Sequence, residues 1–336
     1  VGIDSRFALE NEDMVQRCAD LLAEILLDPD ITNGKFNEKN TELEKQYLLD
    51  TIDAEINDKR TYATIRCKDV MCAEELCSIK KYGYREDAMK ITPESAAKAY
   101  EELLRTARVE IMFEGCGDPT LAKDIFAQKF AGVKREPIVL SKSLVKAQRG
   151  AVKEETERMD VKQGKLVMGF RVEGIEDYRR MNMARITFAL FGGTANSLLF
   201  KNVREKMSLC YYCSSGYDRS NSIMMVSSGV EAENAQKARD EVLHQLEMLK
   251  NGEFTDRELE ETKLFIRTAL MATSDSLGAM DSWYLAQTVG GSEVSPDMEI
   301  ELSAQVSRED VIWVANHTHL DTVYMLRPNE NQKEAE

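Results

Sequence analysis

The chain has 336 residues, of which 43% are hydrophobic and 31% charged, a length that suits two domains of ordinary size. A formal charge of −15 argues against a nucleic-acid backbone as partner and permits attraction to basic peptides or basic proteins. No run approaches the roughly 18 apolar residues of a membrane span, no signal peptide is read at the start, and seven dispersed cysteines suit a reduced, cytoplasmic setting.

An amphipathic helix is expected over Met14–Leu27, stopped by Asp28-Pro29-Asp30. After Gly34-Lys35-Phe36, Thr41-x-x-Glu44 has the form of a capping box opening a helix through Leu48, Leu49, Ile52 and Ile56. Cys67, Cys72 and Cys77, at five-residue steps, are expected to spread around a helix as small buried or half-buried residues. Ile91-Thr92-Pro93-Glu94 precedes an alanine-rich helix. Residues 109–113 have the alternation and β-branched content of a strand, and a short helix ends near Phe130.

Residues 132–144 show no period and contain Pro137 with several basic side chains, the composition of a linker. A strand over residues 165–172 leads to a helix over 178–190 that ends at Gly192-Gly193, and a second helix runs from Thr194 to Lys206. Residues 209–215 and 223–230 form a hairpin about Asp218-Arg219-Ser220-Asn221. Thr255-x-x-Glu258 is a second capping box. Long helices run to about Gln287, with Trp283 and Tyr284 as core aromatics.

These landmarks occur twice in one order. Glu10-Asn11, an apolar helix, Gly34-Lys35-Phe36 and Glu42-Leu43-Glu44 return as Glu233-Asn234, a helix through Val242, Leu246 and Leu249, Gly252-Glu253-Phe254 and Glu258-Leu259-Glu260. The Thr92 helix and its strand return as Val306-Ser307-Arg308-Glu309, a helix and a strand over residues 322–326. Two diverged copies of one α+β unit are implied, each with helices on one face of a mostly antiparallel sheet. The first copy occupies residues 1–132, the linker 133–147 and the second copy 148–336. Residues 151–230 have no counterpart in the first copy, so roughly 80 residues of a complete first unit are expected to be absent.

Leu190-Phe191-Gly192-Gly193-x-x-Asn196-Ser197-x-Leu199-Phe200-x-x-Val203-Arg204-Glu205-Lys206-x-x-Leu209-x-Tyr211 resembles the C-terminal domain of the M16, or insulinase, metallopeptidase family. The likeness extends weakly through the first copy. Within the family the chain looks most like the noncatalytic bacterial branch called elongation factor P 5-aminopentanol modification-associated proteins.

The resemblance implies a zinc ion held by a His-x-x-Glu-His helix and a distant glutamate, with metal-bound water attacking the peptide carbonyl. His-x-x-Glu-His does not occur in this sequence, and its place would fall in the absent front of the first copy. Glu44 matches the family's first downstream glutamate, but Thr51 stands at the ligand position seven residues on, and a hydroxyl is a poor zinc ligand beside a carboxylate. Glu55, one turn further, is displaced by roughly 6 Å. This degenerate region implies no metal in the chain itself. Arg204 and Tyr211 match the family's substrate-binding arginine and tyrosine, which stabilise charge on the scissile carbonyl. Ser208 replaces the usual glycine between them.

Other patterns carry less. His244-x-x-Glu247 lacks a second histidine, His317-x-His319-x-Asp321 has no further donor nearby, and Gly192-Gly193 lacks the Gly-Lys-Ser/Thr of a phosphate loop. Strand alternation would put the thiols of Cys210 and Cys213 on opposite faces, which argues against joint metal binding. The expected function is a noncatalytic subunit that binds peptide and supplies Arg204 and Tyr211 to the zinc site of a partner M16 peptidase, or to another copy of itself, without nucleic acid or membrane. The alternatives are a zinc endopeptidase whose motif lies outside this sequence and an adaptor with a degenerate peptidase fold.

Overall fold

The computed structural model describes residues 8–9, 12–139 and 150–329. Its elements in chain order are α1 (Met14–Leu27), β1 (Ile31–Thr32), β2 (Lys35–Phe36), α2 (Glu38–Ala54), α3 (Lys59–Met71), α4 (Arg85–Ala88), α5 (Pro93–Thr106) and α6 (Pro119–Phe130). There follow β3 (Lys153–Met159), β4 (Gly164–Val172), α7 (Tyr178–Phe188), β5 (Cys210–Asp218), β6 (Ile223–Val230) and α8 (Ala235–Lys250). The last are α9 (Asp256–Met271), α10 (Leu277–Gly290), α11 (Pro296–Ala304), α12 (Arg308–Asn316) and β7 (Thr318–Pro328). Among the described residues no helix is long and apolar enough to cross a membrane.

The chain packs as two compact units, one from Val1–Asp53 with Lys80–Ser141 and the other from Ala54–Ile79 with Lys142–Glu336. The units therefore differ from a simple division of the sequence, because residues 54–79 join the later half. The linker read over residues 133–147 lies partly outside the described residues. Its described part folds back, with the Glu136 amide donating to Arg105 O and the Ile138 amide to Thr106 O.

In the first unit, α1 packs on α6 through Ala19, Ala23, Ala122 and Phe126. Asn37, not Thr41, opens α2: its Oδ1 accepts from the Asn40 amide at 3.1 Å, while the Thr41 hydroxyl turns back to Asn37 O. Thr255, by contrast, makes the expected box with Glu258. Gly34 and Gly252 both sit at φ +75°, the left-handed region that favours glycine, and Asn37 and Thr255 each follow three residues later. Residues 109–113 do not form a strand, and Val109, Ile111 and Phe113 are exposed. A β-rich sequence becomes a strand only where a neighbour supplies the ladder, and the described residues supply none here.

The second unit is built on a five-stranded sheet in the order β3-β7-β4-β6-β5, parallel between β3 and β7 and antiparallel elsewhere. The mostly antiparallel α+β expectation holds. Leu166, Met168, Phe170 and Val172 of β4 face the large core with Ile186, Leu190, Phe191 and Leu249. Complete burial of each such side chain contributes roughly 1.5–3 kcal/mol.

Helices do not keep to one face, as the sequence pattern suggested. The opposite face is covered by α3, whose Ala63, Cys67 and Met71, at four-residue steps, are buried against Val167, Tyr324, Leu326 and Ile223. Gly169 lets the Met71 side chain lie close to the sheet, since a Cβ there would stand 2.7 Å from Met71 Sδ. Helix α3 ends at Met71, so Cys72 caps it and Cys77 lies in the 3-10 turn Leu76–Ser78 instead of continuing around a helix.

Two polar ties fix α3. Glu157 of β3 accepts from Tyr62 of α3 at 2.8 Å and from Tyr324 of β7 at 2.7 Å. Burial pushes the Glu157 carboxyl up, but the bonds from Tyr324, Tyr62 and Arg66 outweigh it and hold the group below its ordinary value. The second tie is Arg171, 2% exposed. It donates to Asp321 at 2.8 Å, to Glu75 at 3.2 Å and to the Met71 carbonyl at 3.0 Å. A bulge in β7 opposite Gly169 and Phe170 turns Asp321 toward it.

The helix expected from Thr194 begins at Leu198, after a turn in which the Ser197 amide bonds Thr194 O. Trp283 and Tyr284 are half-buried, with Trp283 Nε1 donating to Val294 O at 2.8 Å, and the central aromatics are Phe170, Phe191 and Tyr324. Arg171→Ala is expected to destabilise the protein by about 3–5 kcal/mol, because Glu75 and Asp321 lose a buried counter-charge. Urea unfolding of the variant against the parent chain measures it.

Candidate functional site

The site around Arg204 is built from the end of α7. After Phe188 the helix widens into a π-helical turn, Ala189–Gly193, that presses on β5. A Cβ at Gly192 would lie 2.7 Å from the Ser215 amide, so only glycine admits this contact, and Ser215 Oγ donates to Phe188 O at 2.8 Å. A second π-helical stretch, Phe200–Lys206, is held from beneath by buried Val203, by Asn202 bonding Gln245 at 2.7 Å and by Lys201 paired with Glu258 at 3.2 Å. Arg204 is thereby presented outward, its guanidinium 4.5 Å from the Phe200 ring centre one turn back. Among the described residues no carboxylate pairs with it.

The turn toward Tyr211 is closed by the Met207 amide on Asn202 O and the Leu209 amide on Val203 O. Ser208 sits in it at φ +52°, the left-handed backbone that a glycine would adopt freely. Serine thus preserves the turn's shape at some conformational cost.

Tyr211 occupies a β-bulge. Cys210 pairs with Val230, Tyr212 with Gly229 and Cys213 with Ser228, which leaves Tyr211 as the extra residue, 68% exposed, on the terminal strand of the sheet. The bulge overturns the face assignment of the cysteines. With one residue looped out, Cys210 and Cys213 lie on the same face, both against the large core, and their thiols hydrogen-bond. That bond, then the Ser228 hydroxyl and the Arg204 charge, outweigh burial and bring the Cys210 thiol down to about 7. Cys213 is pushed well up by the same bond and by burial. Arg204 and Tyr211 therefore flank one polarised thiol. The C-x-x-C spacing was the available signal for this pair, but the bulge that unites it is set by pairing with β6.

Glu44 and Thr51 lie in the first unit, two turns apart on α2 and both exposed. Glu44 lines a largely apolar cavity of about 330 Å³ with Phe36, Thr41, Leu48, Ile91 and Ala96. The Thr51 hydroxyl donates to Tyr47 O at 2.7 Å, and α2 stops at Ala54, so Glu55 belongs to the next 3-10 turn. These residues do not fit the family's third zinc ligand. The other histidine patterns stay apart as well. His244 and His319 are exposed, His317 stacks on Trp313 at 3.9 Å, and Asp321 is engaged by Arg171.

The family model described as the Peptidase M16 inactive domain matches residues 90–264, just over half of the chain. The chain belongs to the M16 peptidase family. It is similar to the probable inactive metalloprotease YmfF of Bacillus subtilis, 26% identical over 97% of this chain and 76% of that protein. Among solved structures it resembles a conserved protein from Enterococcus faecalis, with a TM-score of 0.87 and 24% identity over 97% of this chain and 77% of that one. It also resembles a peptidase M16 inactive domain from Pseudomonas fluorescens, with a TM-score of 0.78 and 20% identity over 96% and 77% of the two chains. This is an M16 peptidase homologue of the inactive type, and the likeness to the solved structures is one of fold.

Ser208→Gly is expected to stabilise the protein by up to about 1 kcal/mol by relieving the left-handed serine, which thermal unfolding measures. Cys210 is expected to alkylate ahead of Cys213, Cys72 and Cys67, with a rate rising through a midpoint near pH 7. Peptide mapping after timed iodoacetamide labelling reads both quantities.

Proposed function

We propose that this M16 homologue is a noncatalytic subunit that binds peptide and presents Arg204 and Tyr211 to a substrate shared with a zinc-bearing M16 peptidase. The observation that carries this reading is the pair's setting. An anchored π-helical turn holds Arg204 outward without a carboxylate partner among the described residues, and the bulge holds Tyr211 outward on the terminal strand. A guanidinium and a phenol on either side of a tight turn supply a charged and a neutral donor for one carbonyl oxygen.

The chemistry at the ligand position in the first unit accords with this reading. Thr51 spends its hydroxyl on a backbone carbonyl, and the charge of Arg204 is available to a substrate. A peptide laid along a sheet edge would gain main-chain hydrogen bonds, with side-chain pockets giving selectivity. A net charge of −15 favours basic peptides or a basic partner surface.

The test is reconstitution with a zinc-bearing M16 peptidase and a peptide substrate. Arg204→Ala and Tyr211→Phe are each expected to lower kcat/KM by about 100-fold, the scale of losing one oxyanion donor. Unchanged activity of both variants in an active pair would refute the role and favour an adaptor.

A further inference from the structure

A second cluster of chemically capable side chains lies in the second unit, away from the β5 bulge. Cys72, Glu75 and Cys77 place one ligand atom each within 4.8 Å of one another. The backbone gathers them. Cys72 caps α3, the Glu75 amide bonds Cys72 O at 2.8 Å, and the Ser78 amide bonds Glu75 O at 3.0 Å, so two consecutive tight turns draw the three side chains to one side. Cys72 is completely buried and packs with Met71 and Ile223, while Cys77 is half-buried.

We propose that Cys72, Glu75 and Cys77 form a binding site for a thiophilic divalent metal ion of the Zn²⁺ class. Two thiolates and a carboxylate are a donor set for such an ion, and bonds of about 2.3 Å to sulfur put tetrahedral sulfurs about 3.8 Å apart. The observed spread of at most 4.8 Å closes to that distance with side-chain adjustment alone. Partial exposure of Glu75 and Cys77 leaves room for water as the fourth ligand.

The surroundings support the carboxylate as a ligand. Arg171 holds Glu75 through a guanidinium that is itself fixed by Asp321, the outer-shell arrangement that orients a metal-binding carboxylate. One arginine against two carboxylates leaves one negative charge, and a dication bound by two thiolates leaves that balance unchanged, because its binding releases the two thiol protons. An ion here would staple the end of α3 to β4 and β7 through Glu75 and Arg171. The site shares no residue with Glu44, Thr51, Arg204 or Tyr211, so its fate does not bear on the peptide-binding reading.

The experiment is a Co²⁺ titration of the reduced, EDTA-treated full chain. The expected result is one equivalent bound with thiolate-to-cobalt charge-transfer absorption, displaced by Zn²⁺. That absorption is expected to vanish in Cys77→Ser and Cys72→Ala, to persist in Cys210→Ser, and to need at least about 10-fold more Co²⁺ in Glu75→Gln. Because Cys72 is buried, Cys77→Ser with an unchanged circular dichroism spectrum is the deciding variant. Absence of thiolate absorption, its survival in Cys77→Ser, or a Cys72–Cys77 disulfide found by mass in protein isolated without reductant would overturn the proposal.

Discussion

The second unit depends on one buried charge. Arg171 sits at 2% exposure in the middle of a sheet, a position that would be prohibitive for a lone guanidinium. Its partners come from three places in the sequence: Asp321 on β7, Glu75 in the turn after α3, and the last carbonyl of α3 at Met71. Satisfying that one group requires the end of α3 to lie on the sheet. From this follow the assignment of residues 54–79 to the second unit and the burial of β4 on both faces.

The same economy of backbone governs the Arg204 region. Three local departures from regular geometry act in series: the π-helical stretch that presents Arg204, the left-handed Ser208 that reverses the chain, and the bulge that turns Tyr211 out and Cys210 in. Bulges and π turns re-aim side chains without changing the surrounding packing. Here they surround a thiol whose properties neither neighbour would have alone. Its partner Cys213 donates, Arg204 supplies positive charge, and Cys213 is buried while Cys210 is half-buried.

Much of the fold was legible in residue patterns. The α1 stripe ended where Asp28-Pro29 stops it, the Thr255 box formed as written, and the hairpin about Asp218 to Asn221 formed with Asn221 bonding Asp218. The motif from Leu190 to Tyr211 was enough to suggest the family, because its glycines and its buried leucines have separate steric reasons to stand where they do. Errors fell where two nearby residues competed for one role or where a local signal depended on a remote neighbour. Thr41 looked like a cap although Asn37, aligned with Thr255 after the matching glycines, was the better position. Residues 109–113 have the composition of a strand, but pairing is not a property of composition.

By itself the sequence determined the periodic helices, the repeated landmarks, the α+β class, and the presence of Arg204 and Tyr211 on either side of a turn. Local propensity, capping and steric permission act over a few residues and leave their mark in order and spacing. Tertiary structure alone decided that α3 covers the second face, that Cys210 and Cys213 meet, and that Cys72, Glu75 and Cys77 converge. Each of these depends on a register or a buried charge balance that joins residues distant in the chain, as Arg171 and Asp321, 150 positions apart, are. No window of sequence contains both partners of such a contact.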